Sequence, residues 1–202
     1  MGTKNMKTEI KVAVCGTLRS GKDTVANWFK EKEKFTSFAF SEGIWTTGRL
    51  LFPHEFNNPK VKPRKMLQDL GQKLREIDPD VWVRYTFNRI EEVGANRVIV
   101  TDLRQPNELE ALKNDGFFII RVNAEPEVRI ERAKAAGDKF NYQDMLHETE
   151  KHVQGFQVDF DIDNNGTIEE LESQIEKAFE AAVYRAKGLQ HYKPKGGTQG
   201  GE

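Results

Sequence analysis

The stretch Gly16-Thr17-Leu18-Arg19-Ser20-Gly21-Lys22 follows a short apolar run at residues 10–15 and opens a segment of helical spacing. Two glycines five positions apart, the second followed by lysine, form a phosphate-binding loop when a strand precedes them and a helix follows. Glycines let the backbone curl so that successive N–H groups face one anion, and the helix N-terminus adds partial positive charge. Lys22 then reaches the oxygens between which a phosphoryl group is transferred. The position after the lysine usually carries a hydroxyl that ligates magnesium. Here it is Asp23, followed by Thr24. Either Asp23 binds the metal, directly or through water, or Thr24 takes that role. A carboxylate beside a triphosphate needs a cation between them, so ATP with Mg2+ is the expected cofactor pair. The donor-binding set is Gly16, Arg19, Ser20, Gly21, Lys22, Asp23 and Thr24.

A second constellation is Asp102-Leu103-Arg104, at the end of the apolar run at residues 97–101. In open α/β sheets ligands sit at the carboxyl ends of strands. Asp102 is placed there to hold magnesium or its water, and Arg104 to clamp a phosphate through paired N–H bonds. The alternative is a strand-end aspartate capping the next turn, with a surface arginine. Lys22, Asp102 and Arg104 are the catalytic candidates, and Asp23, Thr24 and Asp102 the metal candidates.

Both constellations need a sheet to carry them. Strand-like runs at residues 10–15, 35–40, 97–101, 117–122 and 158–162 alternate with helical patterns at 24–32, 64–74, 81–93, 107–114, 126–136, 143–152 and 167–187. The last helix opens with the capping pair Thr167 and Glu170. Alternation of this kind predicts an α/β fold of three layers, a five-stranded parallel sheet covered on both faces. Composition adds limits. Lys and Arg number 31 against 32 Asp and Glu, a net charge of -1. That balance argues against a dedicated nucleic-acid binder. One cysteine, Cys15, allows no intrachain disulfide and suits a cytoplasmic location. No apolar run is long enough to span a membrane. Residues 1–8 read as a polar leader, 9–187 as the folded body and 188–202 as a glycine-rich tail with too few apolar groups to offset chain entropy.

The phosphate loop with Arg-Ser-Gly-Lys-Asp-Thr at residues 19–24 resembles that of phage-type deoxynucleoside monophosphate kinases. Arg64-Lys65-Met66-Leu67-Gln68-Asp69-Leu70-Gly71, followed by Trp82-Val83, resembles their acceptor-side helix. Asp102-Leu103-Arg104-Gln105 with Glu108 resembles their second acidic motif, and residues 163–171 resemble their last strand, turn and helix. The resemblance spans residues 12–175, with the motifs in the expected order. Dephospho-coenzyme A kinases are similar in the first and last motifs. The resemblance implies the P-loop fold with strand order 2-3-1-4-5 and ATP as phosphoryl donor. It also implies a nucleoside monophosphate as acceptor, with small-molecule partners only and a homodimer left open. It places Asn165 and Gly166 in a turn near the adenine. A long insertion that some members carry before the acceptor helix is absent here.

On the acceptor side, Arg64 and Gln68 lie four apart and present a guanidinium and an amide to the acceptor; the alternative for Gln68 is the polar face of an amphipathic helix. Trp82 either stacks on a base or lies in the core. Arg129 and Arg132 share a helix face. They are lid candidates in the resemblance, or else a solvated face with Glu125, Glu127 and Glu131. Residues 161–172 satisfy the spacing of a calcium-binding EF-hand loop. The stretch Val153 to Phe160, with Gly155 and β-branched alternation, suits a strand better than the helix such a loop needs.

Overall fold

Along β1 (Ile10–Gly16), Ile10, Val12 and Val14 alternate with Ala13 and Cys15, and all five are buried. A strand apolar on both faces belongs in the middle of a covered parallel sheet, and β1 has that place. The computed structural model, which describes residues 8–59, 61–137 and 148–189, has a five-stranded sheet of order β2-β3-β1-β4-β5. Every pairing in it is parallel. The other strands are β2 (Thr36–Phe38), β3 (Arg97–Leu103), β4 (Phe118–Asn123) and β5 (Phe160–Asp163). The class and strand order expected from the sequence are those found.

The two faces of the sheet carry separate cores. Ile10, Val12 and Val14 pack with α1 (Lys22–Glu33) and α9 (Ile168–Ala186), through Val25, Phe29, Ile175 and Ala178. Ala13 and Cys15 face the opposite layer of α5 (Val81–Val93), α6 (Pro106–Asn114) and α8 (Glu148–Gly155), through Ile90, Leu112 and Val153. Phe29, fully buried, meets Phe35 and Phe179 edge-on, so truncating it to alanine removes contacts with α9 and with the turn before β2 at a cost of about 3–5 kcal/mol. No described helix is long and apolar enough to cross a membrane.

The largest departure from the sequence expectation lies between β2 and the acceptor helix. Residues 35–40 were expected as one strand. Only Thr36–Phe38 pairs, and Phe40 begins α2 (Phe40–Leu51), followed by α3 (Pro53–Phe56) and α4 (Arg64–Ile77). Phe40, Gly43, Ile44 and Gly48 are the buried positions of α2, a helical period. The aromatic run hides this switch, because Phe38 and Phe40 also fit a two-residue alternation. Trp82 of α5 is buried beneath α2. Its indole N–H donates to the Gly71 carbonyl at 3.1 Å, and a Cβ on Gly43 would lie 2.7 Å from its ring. Of the two sequence readings of Trp82, its position is that of the core.

Candidate active site

β1 delivers the chain to Gly16 at the carboxyl edge of the sheet. A Cβ at Gly16 would lie 2.6 Å from Ser20 Oγ and 2.7 Å from the Val122 carbonyl, so a side chain does not fit. The loop then curls through two left-handed residues, Arg19 at φ 63° and Gly21 at φ 99°. For a non-glycine residue such as Arg19 that region costs roughly 1–2 kcal/mol, a strain that the neighbouring ties must hold. Ser20 N–H donates to the Thr17 carbonyl at 3.2 Å, which closes the turn. α1 begins at half-buried Lys22, and its N-cap residue Gly21 supplies no side-chain hydrogen bond. A helix N-terminus that opens directly from a glycine-rich curl is the arrangement that receives a phosphate. Asp23 and Thr24 are exposed on the same turn.

Three polar side chains fix the loop from behind. Asn164, buried just past β5, donates from Nδ2 to the Ser20 carbonyl at 2.7 Å, and its own backbone N–H donates to the Asn123 carbonyl. Arg132 of α7 (Pro126–Ala135) donates to the Asn164 carbonyl at 2.9 Å. Arg129, also buried, reaches the Leu18 carbonyl at 3.4 Å. Of the two lid candidates, Arg129 thus reaches the phosphate loop directly, and half-buried Arg132 reaches it through Asn164. Residues 138–147, beyond α7, lie outside the described residues, as do residues 1–7 and 190–202. Asn165 and Gly166 are exposed beside Asn164; Asn165 Oδ1 accepts from the Glu125 N–H at 2.7 Å.

Asp102, near the end of β3, uses both carboxylate oxygens on the first turn of α2. Oδ1 accepts from Phe40 N–H at 2.7 Å and Oδ2 from Ser41 N–H at 3.0 Å. A carboxylate there also meets the positive end of the helix dipole. The sequence reading foresaw a metal ligand or a cap of the following turn; the turn that Asp102 caps is 62 residues earlier in the chain. Arg104 follows, exposed at the strand end. Its backbone N–H and that of Gln105 both donate to Glu108 Oε2 at 2.9 Å, the reciprocal cap of α6. Glu108 is buried, and Arg75 of α4 lies 3.5 Å from its other oxygen. Burial, and then the nearby Asp102 charge, push the Glu108 carboxyl up to about 7 against the opposing hydrogen bonds and Arg75. Burial likewise pushes the Cys15 thiol up to about 12, so it remains a neutral core residue.

On the acceptor side, Arg64 starts α4 and Gln68 follows one turn on, both exposed. A depression of ≈310 Å³ opens at the carboxyl end of β2, lined by Ser37, Ala39, Ser41, Glu42, Trp45 and Arg49. α2 and its tryptophan were not foreseen. Apolar spacing at Phe40, Ile44 and Gly48 would have revealed the helix. Asn164 was also missed, because an asparagine in a polar turn carries no sign of what it holds.

The calcium-like segment is built differently from an EF-hand. Asp161 and Asp163 belong to β5 and pair with β4. Burial opposes it, but hydrogen bonds from Arg121 and Asn123 hold the Asp161 carboxyl below the usual carboxylate range. Thr167 and Glu170 form the capping box of α9. Among the described residues no three His, Cys, Asp or Glu side chains gather as a metal site.

Comparison with solved structures supports the architecture. TT1252 from Thermus thermophilus is 18% identical, with a TM-score of 0.57 over 88% of this chain and 99% of that one. Shikimate kinase from Acinetobacter baumannii, in complex with shikimate, is 14% identical, with a TM-score of 0.56 over 90% and 97%. A gluconokinase from Sinorhizobium meliloti 1021 is 14% identical, with a TM-score of 0.52 over 90% and 96%. At these identities the likeness is one of fold. No curated protein matches the chain. The family model for deoxynucleotide monophosphate kinase matches residues 51–175, from the end of α2 into α9. That match begins beyond the phosphate loop, so loop and family are separate lines of support. They agree: the chain belongs to the deoxynucleotide monophosphate kinase family and is a nucleoside monophosphate kinase.

Proposed function

We propose that this kinase moves the γ-phosphoryl group of ATP to a deoxynucleoside monophosphate, between the phosphate loop and the α2–α4 layer. The observation that carries the reading is the loop itself. It curls through left-handed Arg19 and Gly21 straight into the first turn of α1 at Lys22, and the curl is held by Asn164, Arg132 and Arg129. In this reading the loop amides of Gly16 to Gly21 bind the donor phosphates, with Arg19 and Ser20 shaping the curl. Lys22 offsets charge on the transferring group. Asn165 and Gly166 border the donor base. Arg104 and Arg64 hold the acceptor phosphate, because a dianion calls for a fixed guanidinium fork.

The first turn of α1 presents a carboxylate and a hydroxyl, Asp23 and Thr24, a donor set of the hard oxygen type that suits magnesium. Held there, magnesium would supply positive charge that offsets the charge of the donor phosphates. Asp102 keeps α2 in place with one lone pair of each oxygen and retains the others for a metal-bound water. Gln68 contributes an amide to the acceptor side, whereas Trp82, in the core, supports α2 from beneath. The catalytic unit spans residues 9–187 and works in the cytoplasm.

The test is a panel of ribo- and deoxynucleoside monophosphates with dephospho-coenzyme A, each offered with Mg·ATP while the diphosphate product is measured. Phosphorylation of deoxynucleoside monophosphates is the expected result. Exclusive phosphorylation of dephospho-coenzyme A would sink the reading.

A further inference from the structure

Glu42, Trp45 and Arg49 lie three and four positions apart on α2, so one helix face presents a carboxylate, an indole and a guanidinium together. All three line the depression at the end of β2. Trp45 is half-buried. Phe56 meets its ring edge-on at 5.6 Å, and the Arg49 guanidinium and Lys62 ammonium lie 5.4 and 5.9 Å from it, so packing holds the indole in place. Among the described residues the cation at Glu42 is a distant one, Arg89, at the 4.0 Å limit of an ion pair. Arg89 makes its close bond to Glu92, at 2.5 Å. The Glu42 carboxylate is therefore open to a second partner that donates hydrogen bonds.

The position suits an acceptor base. In the order β2-β3-β1, two interstrand spacings, about 10 Å, separate β2 from the strand that carries the phosphate loop. A mononucleotide bridges such a span with its phosphate at one end and its base at the other. Asp102 fixes the first turn of α2 through Phe40 and Ser41, and so sets where Glu42 stands. The chemistry of the carboxylate then separates the bases. Guanine offers two adjacent donors, the ring N1–H and the exocyclic amino group, which match the two oxygens of one carboxylate. Adenine and cytosine place their single amino group beside an acceptor nitrogen. Thymine sets one N–H between two carbonyls, and those repel a carboxylate.

Resting on the monophosphate-kinase reading, we infer that Glu42 and Trp45 form the acceptor-base site, with Trp45 as the stacking wall and Glu42 selecting guanine. The experiment compares kcat/KM for the four deoxynucleoside monophosphates with Mg·ATP in the wild type and in Glu42→Gln, Trp45→Ala and Trp45→Phe. dGMP is expected to be the best acceptor. Glu42→Gln should lower dGMP kcat/KM by roughly ten- to a hundredfold, the range for one paired base contact, and leave the KM for Mg·ATP unchanged. Trp45→Ala should raise KM for all four acceptors by similar factors, and Trp45→Phe should restore most of the loss. Transfer by the wild type without a preference for guanine, or equal acceptor kinetics in Glu42→Gln, overturns this inference and leaves the kinase reading standing. No transfer to any of the four removes both.

Discussion

Around the phosphate loop, polar side chains are buried and committed: Asn164 holds Ser20, Arg132 holds Asn164, and Arg129 reaches Leu18. Across the cleft, Arg64, Gln68, Arg104 and Arg49 stand exposed on helix faces and at a strand end. In the proposed reading the donor side is thus shaped before any ligand arrives. The proposed acceptor side is a set of long side chains that substrate would order, at about 0.5–1.5 kcal/mol for each one immobilised. Asp102 joins the two, since it lies on the strand next to β1 and holds α2 by its first turn. Fixed phosphates and adaptable acceptor contacts suit an enzyme that must exclude water before transfer.

This contrast can be broken most sharply at Lys22. Lys22→Ala should lower kcat on the order of a hundredfold or more, a far larger effect than its shift in thermal unfolding. A folded variant with near-normal turnover would remove Lys22 from the chemistry. Next comes Asn164→Ala, which strips a buried partner from the Ser20 carbonyl. It should cost about 1–3 kcal/mol in urea unfolding as well as turnover; loss of turnover alone would mean that the tie does not stabilise the fold. On the acceptor side, Arg64→Ala with Arg104→Ala should raise acceptor KM about tenfold or more and leave both stability and the KM for ATP nearly unchanged. An equal rise for ATP would blur the two sides.

The smallest effect concerns Glu108. Its folded pKa, about 7, lies above the ordinary carboxylate value, so its protonated form favours the folded state. That contribution is fully present at acid pH and is lost as pH rises through about 7. Glu108→Gln should therefore flatten the fall in stability between about pH 5 and pH 8, as read from urea midpoints. An unchanged slope would show that Glu108 is ionised throughout that range.

The donor side was legible because its signals are local. Glycine spacing, Lys22 and the alternation along β1 all sit within a short stretch, and the sheet order came with the family motifs. The acceptor side was less so. Trp82 and Trp45 look alike as helical tryptophans, and what separates them is that Gly43 leaves room for Trp82 beneath α2 while the Gly71 carbonyl accepts from its indole N–H. Asp102 reads as a strand-end acid, yet its partners at Phe40 and Ser41 depend on β2 lying beside β3. Asn164 reaches Ser20 across 144 residues, only because β5 and β4 bring the turn beside β1. Tertiary placement of that kind leaves no trace in local spacing.

The central claim is that the loop at residues 16–24 hands a phosphoryl group to a monophosphate held across the cleft. Its most direct test follows label from γ-labelled ATP, with magnesium, into a deoxynucleoside monophosphate, for the wild type and for Lys22→Ala. Labelled deoxynucleoside diphosphate is expected from the wild type, with a loss on the order of a hundredfold in the variant. Label appearing only as free phosphate, or equal labelled product from both proteins, would contradict it.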